Sequence, residues 1–323
     1  MIYFDTNTQK FIDALEMHYN SLLAEVKSRI LLCPNPSIIT FLTDDIVKII
    51  LKGNPKKLMQ IQMLLLRQTI PNFSYAEWKD HFRLKRRLNT RTALEVAIVT
   101  KYSTVYSQLN NIFDYDKYFS KKSTVYSTYD LASNLDINTC TYCNRLYTKT
   151  VIKPNKITRP EFDHWFPKSV YPLLALSFYN LIPSCNICNS TVKGSSPMTL
   201  KTHLHPYLDK PQFKFSYYNK THGTYGFTVT SLPGSKSENT VRAFKIKEIY
   251  EMHEDEIEDL RKIRDTYSDR YLTILASQFT GLSISEDEIY RLAFGTYNNE
   301  DLFDKRPLSR MKRDILLELG IIK

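Results

Sequence analysis

Two Cys-x-x-Cys pairs, Cys140/Cys143 and Cys185/Cys188, constrain the fold of this chain more than any other feature. Each pair sets two sulfurs on one side of a tight turn, and two such knuckles about forty residues apart complete a tetrahedron around a metal. The stretch between them must therefore fold back on itself. Four of the five cysteines lie in these pairs, and Cys33 stands alone in Leu31-Leu32-Cys33-Pro34. That usage argues for reduced thiols on a metal rather than a disulfide framework. Structural Zn²⁺ is the expectation over a redox dithiol, because two pairs flank one motif. Iron takes the same four ligands. Cys33 reads as a small buried hydrophobe.

At 323 residues and 42% hydrophobic content the chain can bury a sizeable core, as one large domain or two to three smaller ones. No segment approaches the roughly eighteen apolar residues of a membrane span, and Met1-Ile2-Tyr3-Phe4-Asp5 does not open a secretory signal. A cytoplasmic protein with no membrane partner is expected. The formal charge of +10 suits a polyanionic partner, since clustered Lys and Arg displace counterions from phosphates. The 22 tyrosines can stack on bases, but core packing is their default role.

Residues 1–125 read as helical. Phe11, Leu15, Tyr19, Leu22 and Val26 recur at helical steps before Pro34-Asn35-Pro36, and Ile46, Ile49, Ile50, Leu58, Ile61, Leu64 and Leu65 continue the pattern. Ser74-Tyr75-Ala76-Glu77 has the form of a capping box, opening a helix that carries Arg83, Lys85, Arg86, Arg87 and Arg91. That basic run is a solvated face or a DNA-phosphate surface. A polar stretch between Tyr115 and Tyr129 marks the boundary to a core at 126–235. Within the core, Phe213, Phe215 and Tyr217 alternate against Tyr225, Phe227 and Val229, with Asn219-Lys220-Thr221-His222-Gly223 between them, so a β-hairpin is expected. Residues 236–323 return to helix through Val241, Phe244, Ile249, Ile257 and Leu260, ending in an amphipathic segment after Pro307. The fold class is α+β and mainly helical.

The chemistry concentrates between the knuckles. Phosphodiester hydrolysis needs an activated water, a base near neutral pH and a cation for the charge that builds on the phosphate. Asp163 and His164 sit in a short aromatic segment between Pro160 and Pro167 that reads as a strand, where neighbours point to opposite faces. One can hold metal while the other reaches the water, and imidazole suits the base. Asn189 follows the last cysteine at the expected start of a helix, where its amide oxygen can join Asp163 on a hard divalent cation. Lys193, four residues later, can share that helical face and meet a phosphate.

The order Cys-x-x-Cys, Asp163-His164-x-x-Pro167, Asn180-Leu181, Cys-x-x-Cys-Asn189 resembles the zinc-containing branch of the HNH, or ββα-metal, endonucleases. Asp-His-x-x-Pro-Lys-Ser, Tyr171-Pro172 and Asn-Leu-x-Pro-Ser-Cys-x-x-Cys-Asn are similar to the HNH subunit of Septu-type and retron-associated anti-phage systems. The resemblance covers Cys140 to Gly194 and implies a central ββα-metal core stapled by the four-cysteine zinc site. It implies that His164 is the general base, Asp163 a metal ligand, Asn180 the residue that orders the turn orienting His164, and Asn189 the final metal-ligand position. An ATPase partner and a DNA substrate are implied in the same way. Two departures stand out. Asn189 occupies a position where many members carry His, which favours Mg²⁺ or Mn²⁺ over Zn²⁺ as the catalytic ion. Lys193 lies one residue farther from Asn189 than the commoner spacing.

A non-catalytic zinc-ribbon module that binds nucleic acid would keep the cysteines and the basic patches, but it would not need Asp163 and His164. A zinc deaminase would need His-x-Glu and Pro-Cys-x-x-Cys, whereas this chain has His164-Trp165-Phe166 and Pro183-Ser184-Cys185. His203 and His205 read as structural or surface residues.

Overall fold

The computed structural model describes residues 1–322 except 88–89, 123–124, 195, 197, 222, 268–273, 275–276 and 278–284. The chain begins with α1 (Gln9–Leu31), α2 (Pro36–Phe41), α3 (Asp44–Lys52), α4 (Pro55–Thr69), α5 (Tyr75–Arg86), α6 (Ala93–Ile112), α7 (Tyr115–Tyr118) and α8 (Thr128–Leu135). Side-chain oxygens of Thr8, Asn35, Thr43, Asn54, Ser74 and Thr92 accept from first-turn N–H groups, which is why α1 to α6 start where they do. Pro36 and Pro55 open α2 and α4, where the missing N–H costs nothing.

The inner line of α1 is Phe11, Ala14, His18, Leu22, Val26 and Ile30, facing α3, α6 and α8. The expected Leu15 and Tyr19 flank this line, partly buried. The α5 cap is half a box: Ser74 Oγ accepts from Glu77 N, but the Glu77 carboxylate takes Lys101 Nζ at 2.7 Å instead of returning to the backbone. A complete box closes at Thr92 and Glu95. In the basic run, Arg87 forks onto Glu95, and Arg91 donates to the carbonyls of Leu84, Lys85 and Arg87 at the end of α5. Those two cations hold the α5–α6 junction, while Arg83, Lys85 and Arg86 are exposed.

The first knuckle follows α8. Strand β1 (Glu161–His164) then pairs antiparallel with β2 (Leu181–Ser184), setting Asp163 opposite Ile182 and His164 opposite Leu181. A π-helical turn, Ile187–Lys193, leaves the second knuckle. The hairpin is present as β3 (Phe213–Thr221) and β4 (Thr224–Ser231), with Tyr217 opposite Phe227 and Phe215 opposite Val229. His222 of the expected turn lies outside the described residues. Helices α9 (Lys236–Ala243), α10 (Ile246–Tyr250), α11 (Glu254–Tyr267), α12 (Glu286–Phe294) and α13 (Ser309–Glu318) complete the described chain. Helix α13 packs on β3 and α11 on β4.

Among the described residues, two two-stranded sheets in a mainly helical chain make the fold α+β. One buried cluster runs from Met1 through Phe178 and Cys188 to Leu319. Helix α8 packs against α1, and Tyr126 stands 3.3 Å from His18 Nδ1, so packing continues across the polar stretch near residue 125. Cys33 is buried. Among the described residues, no helix is long and apolar enough to cross a membrane.

Candidate functional site

Cys140, Cys143, Cys185 and Cys188 are buried and unbridged, with all four sulfurs within 4.8 Å of one another. Four convergent thiols at that separation fit a tetrahedral metal such as zinc, and leave no ligand position open to water. Backbone N–H groups face the sulfurs, Arg145 N at 3.4 Å from Cys143 Sγ and Cys188 N at 3.5 Å from Cys185 Sγ. Asn144, in the left-handed region at φ 53°, closes the first knuckle. Its amide donates to Thr139 Oγ1 and to the carbonyls of Phe303 and Arg306, tying the knuckle to the 3₁₀ turn Glu300–Lys305 ahead of α13. Thr141 N donates to Pro183 O, so the centre also clamps the first knuckle against β2.

That clamp positions β1, whose last two residues diverge as strand geometry demands. Asp163 points toward Tyr142 and Lys193 and is 2% exposed. Its Oδ2 accepts from Tyr142 Oη at 2.5 Å, and its Oδ1 accepts from Lys193 Nζ at 2.8 Å. Burial pushes its carboxyl upward, while Lys193 and Tyr142 pull it back. His164 turns the other way, edge-on to Tyr115 with ring centroids 4.6 Å apart. Its Nε2 lies 3.0 Å from the Ala175 carbonyl, which can only accept, so Nε2 carries the hydrogen and Nδ1 is the basic nitrogen. Burial, and then the Lys168 charge, pull the His164 imidazole down to about 3, so it is neutral near pH 7 and less basic than the near-neutral imidazole expected from the sequence.

Asn180 is fully buried between β1 and the loop that carries Ala175. Its Oδ1 accepts from Phe166 N at 2.6 Å, and its Nδ2 donates to the carbonyls of Phe166 and Leu174. The side chain thus fastens both ends of the turn whose next carbonyl holds His164.

A cleft of about 500 Å³ opens beside these residues, lined in part by Tyr115, Arg159, Glu161, Asp163, His164, Lys168 and Asn189. Asn189 does not reach Asp163 through its amide nitrogen. Its Nδ2 donates to Glu161 Oε2 at 2.8 Å, alongside Ser190 Oγ, while Asn186 Nδ2 donates to Glu161 Oε1. Lys193 is buried, and its ammonium sits between Asp163 and the His164 carbonyl. The π-turn explains that placement. Gly194 N reaches back five residues to Asn189 O, and the widened turn absorbs the extra residue between Asn189 and Lys193.

Sequence reasoning missed Glu161, Tyr142 and the cleft-lining cations Arg159 and Lys168. Glu161 had a usable signal, since it lies two residues before Asp163 and shares its face of the strand. His205 is buried with its ring 4.9 Å from Trp165, and its ring lies outside the cleft lining.

The chain is 38% identical to Protein ea31 of Escherichia phage lambda over 69 residues, which is 20% of this chain and 23% of that protein. It is 31% identical to the Septu protein PtuB of Bacillus thuringiensis over 83 residues, 25% of this chain and 29% of that protein. The chain thus covers less than a third of either relative. No protein-family model and no solved structure matches it.

Proposed function

We propose that this protein is an HNH endonuclease that hydrolyses DNA phosphodiester bonds as the nuclease of a bacterial anti-phage system, working with an ATPase partner. In this reading β1, β2 and the π-turn are the ββα core, and the four cysteines hold a structural Zn²⁺. The observation that carries it is the single-sided anchoring of His164: Nε2 is committed to Ala175 O while Nδ1 remains on a residue that lines a cleft flanked by Arg159 and Lys168. The likeness to a Septu protein supports the defence role, and the net charge of +10 supports a nucleic-acid substrate.

In the proposed reaction, water adds to phosphorus as Nδ1 takes its proton. The P–O3′ bond breaks, and the 3′ oxygen leaves with the bonding pair and is protonated from solvent. Arg159 and Lys168 attract the phosphate into the cleft. Asn180 and the Ala175 carbonyl keep the imidazole in the tautomer that can accept.

The family resemblance adds Mg²⁺ or Mn²⁺, which supplies charge neutralisation at the phosphate when bound. Asp163 does not fit as its ligand, because both carboxylate oxygens are engaged and Lys193 matches the charge.

Incubation of supercoiled plasmid with the zinc-loaded protein, with and without its ATPase partner, in Mg²⁺, Mn²⁺ or chelator tests the reading. Cutting that needs a divalent ion is expected. Tight binding of the plasmid with no cutting in any of these conditions would favour the non-catalytic zinc-ribbon module instead.

A further inference from the structure

We propose that residues 147–159 form a basic ribbon that grips the backbone of duplex DNA beside the phosphate to be cut. This deepens the nuclease reading, and rests on its DNA substrate, by giving a surface to the part of the duplex that lies outside the cleft.

The segment that joins the first knuckle to β1 carries Arg145, Lys149, Lys153, Lys156 and Arg159 and no carboxylate before Glu161. Two isolated bridges shape it, Thr139 with Tyr147 and Val151 with Thr158. Between them exposure alternates. Tyr147, Lys149, Val151 and Lys153 are exposed, while Thr148, Thr150 and Ile152 are buried or half-buried. That period of two puts an aromatic ring, two ammonium groups and an aliphatic side chain on one outward face. Lys149 Nζ lies 4.6 Å from the centre of the Tyr147 ring. The second bridge turns the chain back, so Lys149 and Arg159 lie at one end of the ribbon and Lys153 and Lys156 at the other. Arg159 lines the cleft, and its Nε is buried without a hydrogen-bond partner among the described residues. At the far end Lys156 Nζ donates to Lys122 O and Ser127 Oγ, which pins the ribbon to the chain ahead of α8. The cations thus lead outward from the cleft.

Charge decides what this face holds. Among the described residues, the carboxylate that reaches the ribbon is Asp130, 3.7 Å from Lys156 and already bonded to Ser127. Arg145 is turned away to His253. Lys122, Lys156 and Arg159 stand 5.9, 6.0 and 5.4 Å from the centre of one ring, that of Tyr129. Like charges gathered that closely favour an anion among them. A nucleic-acid backbone supplies a row of anions, and through Arg159 that row is continuous with the phosphate in the cleft. From Tyr147 to Lys153 the extended face is about 20 Å long, the rise of about six base pairs.

The test is the salt dependence of binding to a labelled duplex of ~30 base pairs, read by fluorescence anisotropy on full-length, zinc-loaded protein with no divalent ion added. Lys149→Gln/Lys153→Gln should make the slope of log K against log salt shallower by about 2, because each lysine lost from a phosphate removes about 0.9. Its unfolding temperature should match that of wild type. Lys56→Gln/Lys57→Gln, which removes the same charge from exposed positions on α4, should leave the slope unchanged. An unchanged slope in the ribbon variant would overturn the assignment. So would an equal change in both variants, which marks diffuse attraction to the whole surface. Wild type that binds poly-L-glutamate through Lys149 and Lys153, yet holds the duplex equally well without them, would give the ribbon to an acidic protein partner instead. Because no cleavage is read, the two readings separate: cutting with an unchanged slope keeps the nuclease and rejects the ribbon, and a shallower slope without cutting does the reverse.

Discussion

The buried Lys193–Asp163 ion pair is the contact whose loss should be felt most. Removing one member of a buried ion pair leaves the other uncompensated, which costs about 3–5 kcal/mol. Lys193→Met should therefore destabilise the zinc-loaded protein by about that amount in urea unfolding, and a change below about 1 kcal/mol would show that Asp163 finds another partner. Asn180→Ala removes three hydrogen bonds to Phe166 and Leu174. It should cost about 1–3 kcal/mol and lower the cleavage rate with little change in DNA affinity, because it acts through the turn that holds His164. At this scale the sequence was legible where chemistry is declared by residue type: the four thiols, the Asp163-His164 step and Asn180. It was silent where burial decides. Lys193 looks like a surface phosphate ligand until the π-turn directs it inward, and Glu161 gains its surroundings from Asn186, Asn189 and Ser190, 25 or more positions away.

Elements in this protein are held by cross-links more than by their own length. Strands β1 and β2 have four residues each, too few to persist alone, and the four-cysteine cluster joins β2 to the first knuckle. Stripping the metal from the four cysteines should disorder this unit and expose Trp165, which is fully buried. A red-shifted tryptophan emission on chelation, reversed by Zn²⁺, would show it, and unchanged emission after complete removal would contradict a structural role. The hairpin and the capped helices were readable because periodicity and turn chemistry are local. The Ser74–Glu77 box was readable only in part, because Lys101, a residue of α6, takes the Glu77 carboxylate. Arg87 and Arg91 likewise resemble a solvated face until the α5–α6 junction forms around them.

Across the whole molecule, buried histidines set a pH limit on stability. His18 is held between Leu176 O and Tyr126, and His205 lies against Trp165; burial lowers them to about 4 and about 3. An unfolded histidine titrates near 6.5, so below that pH the unfolded chain binds more protons than the folded one. Their contribution is complete above about pH 6.5 and is lost progressively as pH falls toward 3 to 4, at up to about 1.4 kcal/mol per group per pH unit. Melting temperature should fall between pH 6.5 and 4.5, and His205→Asn or His18→Asn should flatten that slope. A slope that neither variant changes would assign the loss to other groups.

His164 as the proposed base of a nuclease cleft is best tested by comparing wild type with His164→Ala. Both should carry full zinc and unfold at similar temperatures, and both should be assayed on supercoiled plasmid with Mg²⁺ or Mn²⁺ and the proposed ATPase partner. Wild-type cleavage that chelator abolishes, and that the variant reduces by about 10²-fold or more, is expected. Equal cleavage by the two proteins, or DNA binding by wild type with no cleavage at all, would contradict it.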